Sequence, residues 1–74
     1  MVEKTIKQIA ADVYDLPEGC IEENDKFSSL GDSLDHIEMV RRMEDEFNVQ
    51  ISIKKMEDLP TIGDAIKYVE ARLK

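Results

Sequence analysis

Ser33, Asp35 and His36 are the residue types of a hydrolytic triad. Their spacing argues against one. All three fall within a single helical turn, whereas a triad converges from separate elements around an oxyanion hole. No Gly-x-Ser-x-Gly elbow surrounds Ser33, and His36 then reads as an exposed helix residue. The stretch from Asp25 to His36 starts like a calcium loop, but Phe27 stands where an oxygen ligand is needed and Leu30 where Gly is required. Cys20 is the single thiol and has no basic neighbours to favour the thiolate. No Cys and His set has metal-ligand spacing. What remains is Ser33 as a hydroxyl with acids on both sides. It admits two readings: a helix-start residue serving or neighbouring the cap, or an exposed site of modification.

Little chain surrounds these residues. There are 74 of them, 42% apolar, with a formal net charge of −7. That length suits one domain, residues 1–74, and leaves no room for a second. A domain this small buries only roughly 60% of its unfolded surface, and a deep catalytic cleft would consume most of its core. The expectation is therefore a protein that is not an enzyme. Phosphate neutralisation needs clustered Lys and Arg, so nucleic acid is not an expected partner. One cysteine cannot form an internal disulfide framework. The apolar runs are too short to span a bilayer, and Met-Val-Glu-Lys-Thr-Ile lacks the apolar core of a signal peptide. The expected setting is a reducing cytoplasm, without membrane insertion. The acid concentrates in the middle, where residues 28–53 set Arg41 and Arg42 against Asp32, Asp35, Glu38, Glu44, Asp45 and Glu46. Residues 54–74 are nearly balanced, with Lys54, Lys55, Lys67, Arg72 and Lys74 as the cations. The acidic block serves solubility or steers basic partners.

The elements that must position Ser33 are helical. Val2, Ile6, Ile9 and Val13, widened by Ala10 and Tyr14, predict an amphipathic helix over 2–15. Leu16-Pro17-Glu18-Gly19 ends it. Residues 16–31 predict a long connection pinned to the core by Ile21, Phe27 and Leu30. Leu34, Ile37, Val40, Met43 and Phe47 predict a second helix over 33–47, with Asp32 as its N-cap and Asp35 three residues on. Asn48 is the expected stop. Ile51 and Ile53 are too brief a pattern for a strand. Met56 and Leu59 suggest one short helical turn before Pro60. Thr61 and Asp64 form a weaker version of a capping box, opening a helix over 62–73. The predicted class is all-α: a small four-helix bundle of three long helices and one short, with a long loop between the first two.

The stretch Leu30-Gly31-Asp32-Ser33-Leu34-Asp35 resembles the phosphopantetheine attachment site of acyl carrier proteins. The resemblance runs on through Ile37-Glu38-Met39-Val40 and Glu44-Asp45-Glu46-Phe47. It returns at Ile51 and at Leu59-Pro60-Thr61-Ile62-Gly63-Asp64-Ala65-Ile66, so it covers nearly the whole chain. Asp-Ser-Leu alone is a weak tripeptide, but its place at the start of the second helix of a small acidic bundle makes the signal specific.

The resemblance implies a carrier. A phosphopantetheinyl transferase would attach 4′-phosphopantetheine from coenzyme A to Ser33, and the arm's thiol would hold acyl groups as thioesters for fatty acid or polyketide-type enzymes. It also implies that Asp32, Leu34, Asp35, Glu38, Glu44 and Asp45 meet basic docking patches on acyl-transferring, ketosynthase and reductase-type partners. Phe27, Met43, Ile51, Ala65 and Tyr68 match acyl-lining positions, which ordinary core packing explains equally well. No broad apolar stripe demands a dimer, so a monomer is expected.

Three features depart from the family pattern. The run from Phe27 to Asp32 is short, so the loop before Ser33 must take a different path. Arg41 and Arg42 stand where uncharged residues are usual. Lys54 and Lys55 replace a typically acidic segment. These departures suit a specialised carrier as well as a housekeeping one. Two alternatives follow: a carrier of aminoacyl or other non-fatty cargo, and an unmodified interaction module of the same fold.

Overall fold

The structure, a computed structural model, describes residues 2–73. Met1 and Lys74, the latter counted above among the C-terminal cations, lie outside the described residues. The chain folds as a small helical bundle. Three long helices, α1 (Val2–Val13), α3 (Ser33–Phe47) and α5 (Ile62–Leu73), enclose the core. Two single-turn helices, α2 (Phe27–Leu30) and α4 (Ile53–Met56), sit in the connections. Among the described residues the only β-type pairing is an isolated antiparallel bridge between Lys26 and Thr61.

Helix α1 stops two residues earlier than its apolar spacing predicts. Asp15 turns left-handed at φ 55°, and the Leu16 N–H closes back on the Ala11 carbonyl at 2.9 Å. This is the 6→1 bond of a Schellman-type stop, which satisfies a carbonyl that the helix would otherwise leave open. Tyr14 is thereby placed just beyond the helix, buried rather than continuing the stripe.

The connection over 16–31 is more ordered than expected. A 3₁₀ turn forms over Glu18–Cys20, and Ile21 and Phe27 are buried as predicted for anchors. The segment is also tied to the start of α5. Ile62 N–H donates to the Asp25 carbonyl at 3.0 Å and Gly63 N–H to the Glu23 carbonyl at 2.9 Å, while Phe27 N–H donates to the Pro60 carbonyl at 3.0 Å. The first two bonds satisfy amides that a helix start leaves without an intrahelical partner. A Cβ on Gly63 would lie 3.2 Å from the Glu23 carbonyl oxygen, so a side chain there would push the loop off the helix.

Helix α4 begins three residues before the predicted turn. Ser52 Oγ accepts the Lys55 N–H at 3.0 Å, and this N-cap starts the helix at Ile53. Thr61 and Asp64 form the reciprocal bonds of a capping box at 3.1 and 3.3 Å, although the acid is Asp rather than Glu. The core is built from Ile6, Met39, Met43, Ile62 and Val69, all fully buried. Each contributes about 1.5–3 kcal/mol through its removal from water. Leu34 and Ile37, the first two residues of the predicted α3 stripe, fall outside this core at 74% and 40% exposure.

Candidate functional site around Ser33

Ser33 opens α3 as its first helical residue and is exposed. The turn that presents it is held by its two flanking acids. Asp32 Oδ1 accepts the Asp35 N–H at 3.1 Å, and Asp35 Oδ2 accepts the Asp32 N–H at 3.2 Å. This capping box satisfies one donor at each end of the turn and places two carboxylates at the positive end of the helix dipole. The preceding Gly31 is extended, at φ −171°, so conformational freedom is not its purpose. A Cβ there would stand 2.4 Å from Asp35 Oδ2 and 2.7 Å from Tyr14 Cδ1. Glycine is needed because the chain passes between the capping carboxylate and the Tyr14 ring.

His36 lies one turn beyond Ser33 and is half-buried, not the exposed helix residue expected from the sequence. Its Nδ1 is 2.9 Å from the Tyr14 hydroxyl. Its ring meets Tyr14 and Phe27 edge-on, with centroid separations of 5.8 and 6.1 Å. Burial, aided by the nearby Asp35 charge, pushes the Tyr14 phenol well above its ordinary range, so the hydroxyl keeps its proton.

A cavity of about 320 Å³ opens beside Ser33, at the small end of the range for ligand pockets. Ser33, His36, Ile37 and Val40 border it from α3, at the spacing that puts residues on one helical face. Ile53 and Met56 of α4, with Leu59 and Pro60 after it, form the opposite wall, and Phe27 lies among the remaining lining residues.

Of the five residues that family resemblance suggests for an acyl lining, only Phe27 borders this cavity. Met43 lies one turn farther along the same face of α3 and is sealed in the core. Ile51 and Ala65 are buried in the core as well. Tyr68 is half-buried, and its hydroxyl donates to the Gln50 carbonyl at 3.5 Å. Lys55 Nζ and Arg72 Cζ stand 5.2 and 4.9 Å from the centre of its ring. None of these four borders the cavity. His36, Ile53 and Met56 were not predicted as lining. The first carried a local signal, its i+3 spacing from Ser33, but the α4 residues reach the site only through tertiary packing.

The acids of α3 divide between surface and scaffold. Asp32, Leu34, Glu38 and Asp45 are exposed, and Asp35 is half-buried. Glu44 is spent differently: its Oε2 accepts the Ile51 N–H at 2.8 Å and ties α3 to the connection before α4. Arg42 forms an ion pair with Asp12 of α1, so its charge is matched within the fold, while Arg41 is exposed. Among the described residues no group of His, Cys, Asp and Glu could hold a metal ion, and no helix is long and apolar enough to cross a membrane.

The "Phosphopantetheine attachment site" family matches residues 4–69 of the chain. Among solved structures, the HMG-ACPI domain of the CurA module from Lyngbya majuscula is similar at 27% identity and a TM-score of 0.87, over 97% of this chain and 74% of that one. BlmI, a type-II acyl carrier protein from Streptomyces verticillus involved in bleomycin biosynthesis, shares 23% identity with a TM-score of 0.86, over 99% and 87%. A free-standing peptidyl carrier protein from an uncharacterized secondary metabolic pathway of Acinetobacter baumannii shares 23% with a TM-score of 0.85, over 97% and 91%. The last two likenesses establish the fold. With the family match spanning most of its length, the chain belongs to the phosphopantetheine attachment site family and is a carrier protein of the kind that bears 4′-phosphopantetheine covalently.

Proposed function

We propose that Ser33 is the attachment residue and that the protein is a non-catalytic acyl carrier, holding acyl groups as thioesters for fatty acid or polyketide-type enzymes. The observation that carries this reading is an exposed serine at the start of α3 that borders an apolar cavity. The residues fit the group. The Ser33 hydroxyl is open to a transferase, the capping box holds its turn in place, and the cavity wall is mostly carbon. The arm supplies a thiol nucleophile that the polypeptide lacks at this site.

Attachment forms a bond from Ser33 Oγ to the phosphorus of the pantetheine phosphate. It breaks the pyrophosphate bond of coenzyme A, releases adenosine 3′,5′-bisphosphate and passes the serine proton to a base. The α3 surface then serves docking. Asp32, Leu34, Glu38 and Asp45 offer exposed acids around an apolar anchor, with Asp35 at their edge, a pattern suited to fast and repeated encounters with basic partners. A phosphopantetheinyl transferase is the partner that family membership implies.

Intact mass after incubation with coenzyme A and a phosphopantetheinyl transferase tests the reading. The expected result is one added phosphopantetheine, absent in Ser33→Ala. No gain, or an equal gain in the variant, overturns it. Loading with fatty-acid, polyketide and amino-acid activating enzymes then separates acyl from aminoacyl cargo.

A further inference from the structure

His36 is the polar side chain set into the wall of the cavity beside Ser33. The other polar residues bordering it, Ser28, Ser33 and Glu57, are all exposed, whereas His36 is half-buried between Tyr14 and Phe27. Only one of its ring nitrogens is engaged. Nδ1 faces the Tyr14 hydroxyl, and Nε2 has no hydrogen-bond partner among the described residues.

The contact with Tyr14 bears on what Nε2 can offer. Its phenol is buried and keeps its proton, so the hydroxyl can donate to Nδ1. A neutral imidazole that accepts at Nδ1 carries its hydrogen on Nε2. Turning the ring over would break that bond, and the ring also packs edge-on against Tyr14 and Phe27. With the hydroxyl donating to Nδ1, His36 brings an unspent N–H at Nε2 to the carbon-lined cavity that it borders.

Resting on Ser33 as the attachment residue, we propose that His36 is a specificity-determining residue of this cavity, selecting acyl cargo that bears an oxygen on the carbons next to the thioester over plain saturated cargo. The thioester carbonyl is common to every cargo and cannot discriminate. A hydroxyl or keto oxygen farther along the chain accepts the Nε2 hydrogen bond. A saturated chain covers the same nitrogen with methylene groups and leaves it unpaired, which a site built to hydrogen-bond its ligand penalises. Seating of the oxygenated chain is favoured by about tenfold, the usual weight of one hydrogen bond in such a setting.

The test uses the full chain loaded through a phosphopantetheinyl transferase with butyryl-coenzyme A or 3-hydroxybutyryl-coenzyme A, each product checked by intact mass. Thermal melting and the ¹⁵N resonances of the single histidine are then read on both forms. The 3-hydroxybutyryl form is expected to melt higher by roughly 4–8 °C, and to move the Nε2 resonance while the butyryl form does not. His36→Phe, which keeps a ring against Phe27, is expected to erase the difference. Equal melting and equal Nε2 shifts in the parent chain overturn the inference, as does a difference that survives in His36→Phe. The resonance measurement stands without the variant. Absence of mass gain is a separate outcome that overturns the Ser33 reading and this one with it, whereas full loading with indifferent cargo overturns only this one.

Discussion

The Tyr14 hydroxyl stands 2.9 Å from His36 Nδ1, joining residues 22 positions apart in the chain. The contact ties the end of α1 to the first turn of α3. The same tyrosine ring bars any side chain at Gly31. One buried phenol thus constrains the approach to Ser33 and contacts His36, a residue of the cavity wall.

Removing that hydroxyl is expected to cost about 1 kcal/mol, because Tyr14→Phe deletes one hydrogen bond and leaves Nδ1 without its partner. The two proteins should also differ in alkali. Burial raises the phenol above its ordinary value of 10.0. The associated stability is therefore fully present below pH 10 and is lost as pH rises toward the folded-state value. Urea unfolding at pH 8 and again above pH 10 should show the parent losing stability that Tyr14→Phe does not lose.

Gly31→Ala places a methyl group where the Asp35 carboxylate and the Tyr14 ring already stand. Both must shift, and both hold the turn that presents Ser33. A destabilisation of about 1–3 kcal/mol is expected, together with slower modification of Ser33. Thermal melting and the rate of mass gain measure the two effects. An alanine variant as stable and as quickly modified as the parent contradicts this packing.

Glu44 distinguishes scaffold from docking surface. Glu44→Ala removes the acceptor for the Ile51 N–H and is expected to cost about 1 kcal/mol, with faster hydrogen exchange at Ile51. Glu44→Gln keeps an acceptor oxygen and should restore most of the protection. If partner reactions fall equally in both variants while protection stays intact, the charge of Glu44 acts in docking instead.

Glu38→Lys reverses an exposed charge that makes no ion pair among the described residues. Stability should change by less than about 0.5 kcal/mol. The kcat/KM of the transferase and of acyl-transferring partners should drop several-fold at low ionic strength, with the gap narrowing as salt screens the encounter. Equal rates at low salt would remove Glu38 from the docking surface.

The three long helices were legible in residue spacing because each buries one apolar face, and the 3.6-residue period records that burial directly. The cap at Asp32 was legible for the same local reason: its hydrogen bonds reach only three residues. Helix ends were less so. Asp15 stops α1 with a left-handed turn that no apolar period announces, and Ser52 moves α4 forward of the predicted turn. The connection over 16–31 read only as a long segment with apolar anchors, because its bonds to α5 join residues distant in the chain and leave no local pattern.

By itself, the sequence of this protein determined the all-α class, the small acidic character, the cap before Ser33 and the resemblance centred on Asp32-Ser33-Leu34. These depend on composition and on interactions a few residues long. Only the tertiary structure decided which residues surround the serine. It brought Ile53 and Met56 across to α3 and turned His36 inward against Tyr14. It also kept Met43, Ile51, Ala65 and Tyr68 away from the cavity. A cavity wall is set by how helices pack, and packing partners far apart in the chain leave no period in the sequence that names them.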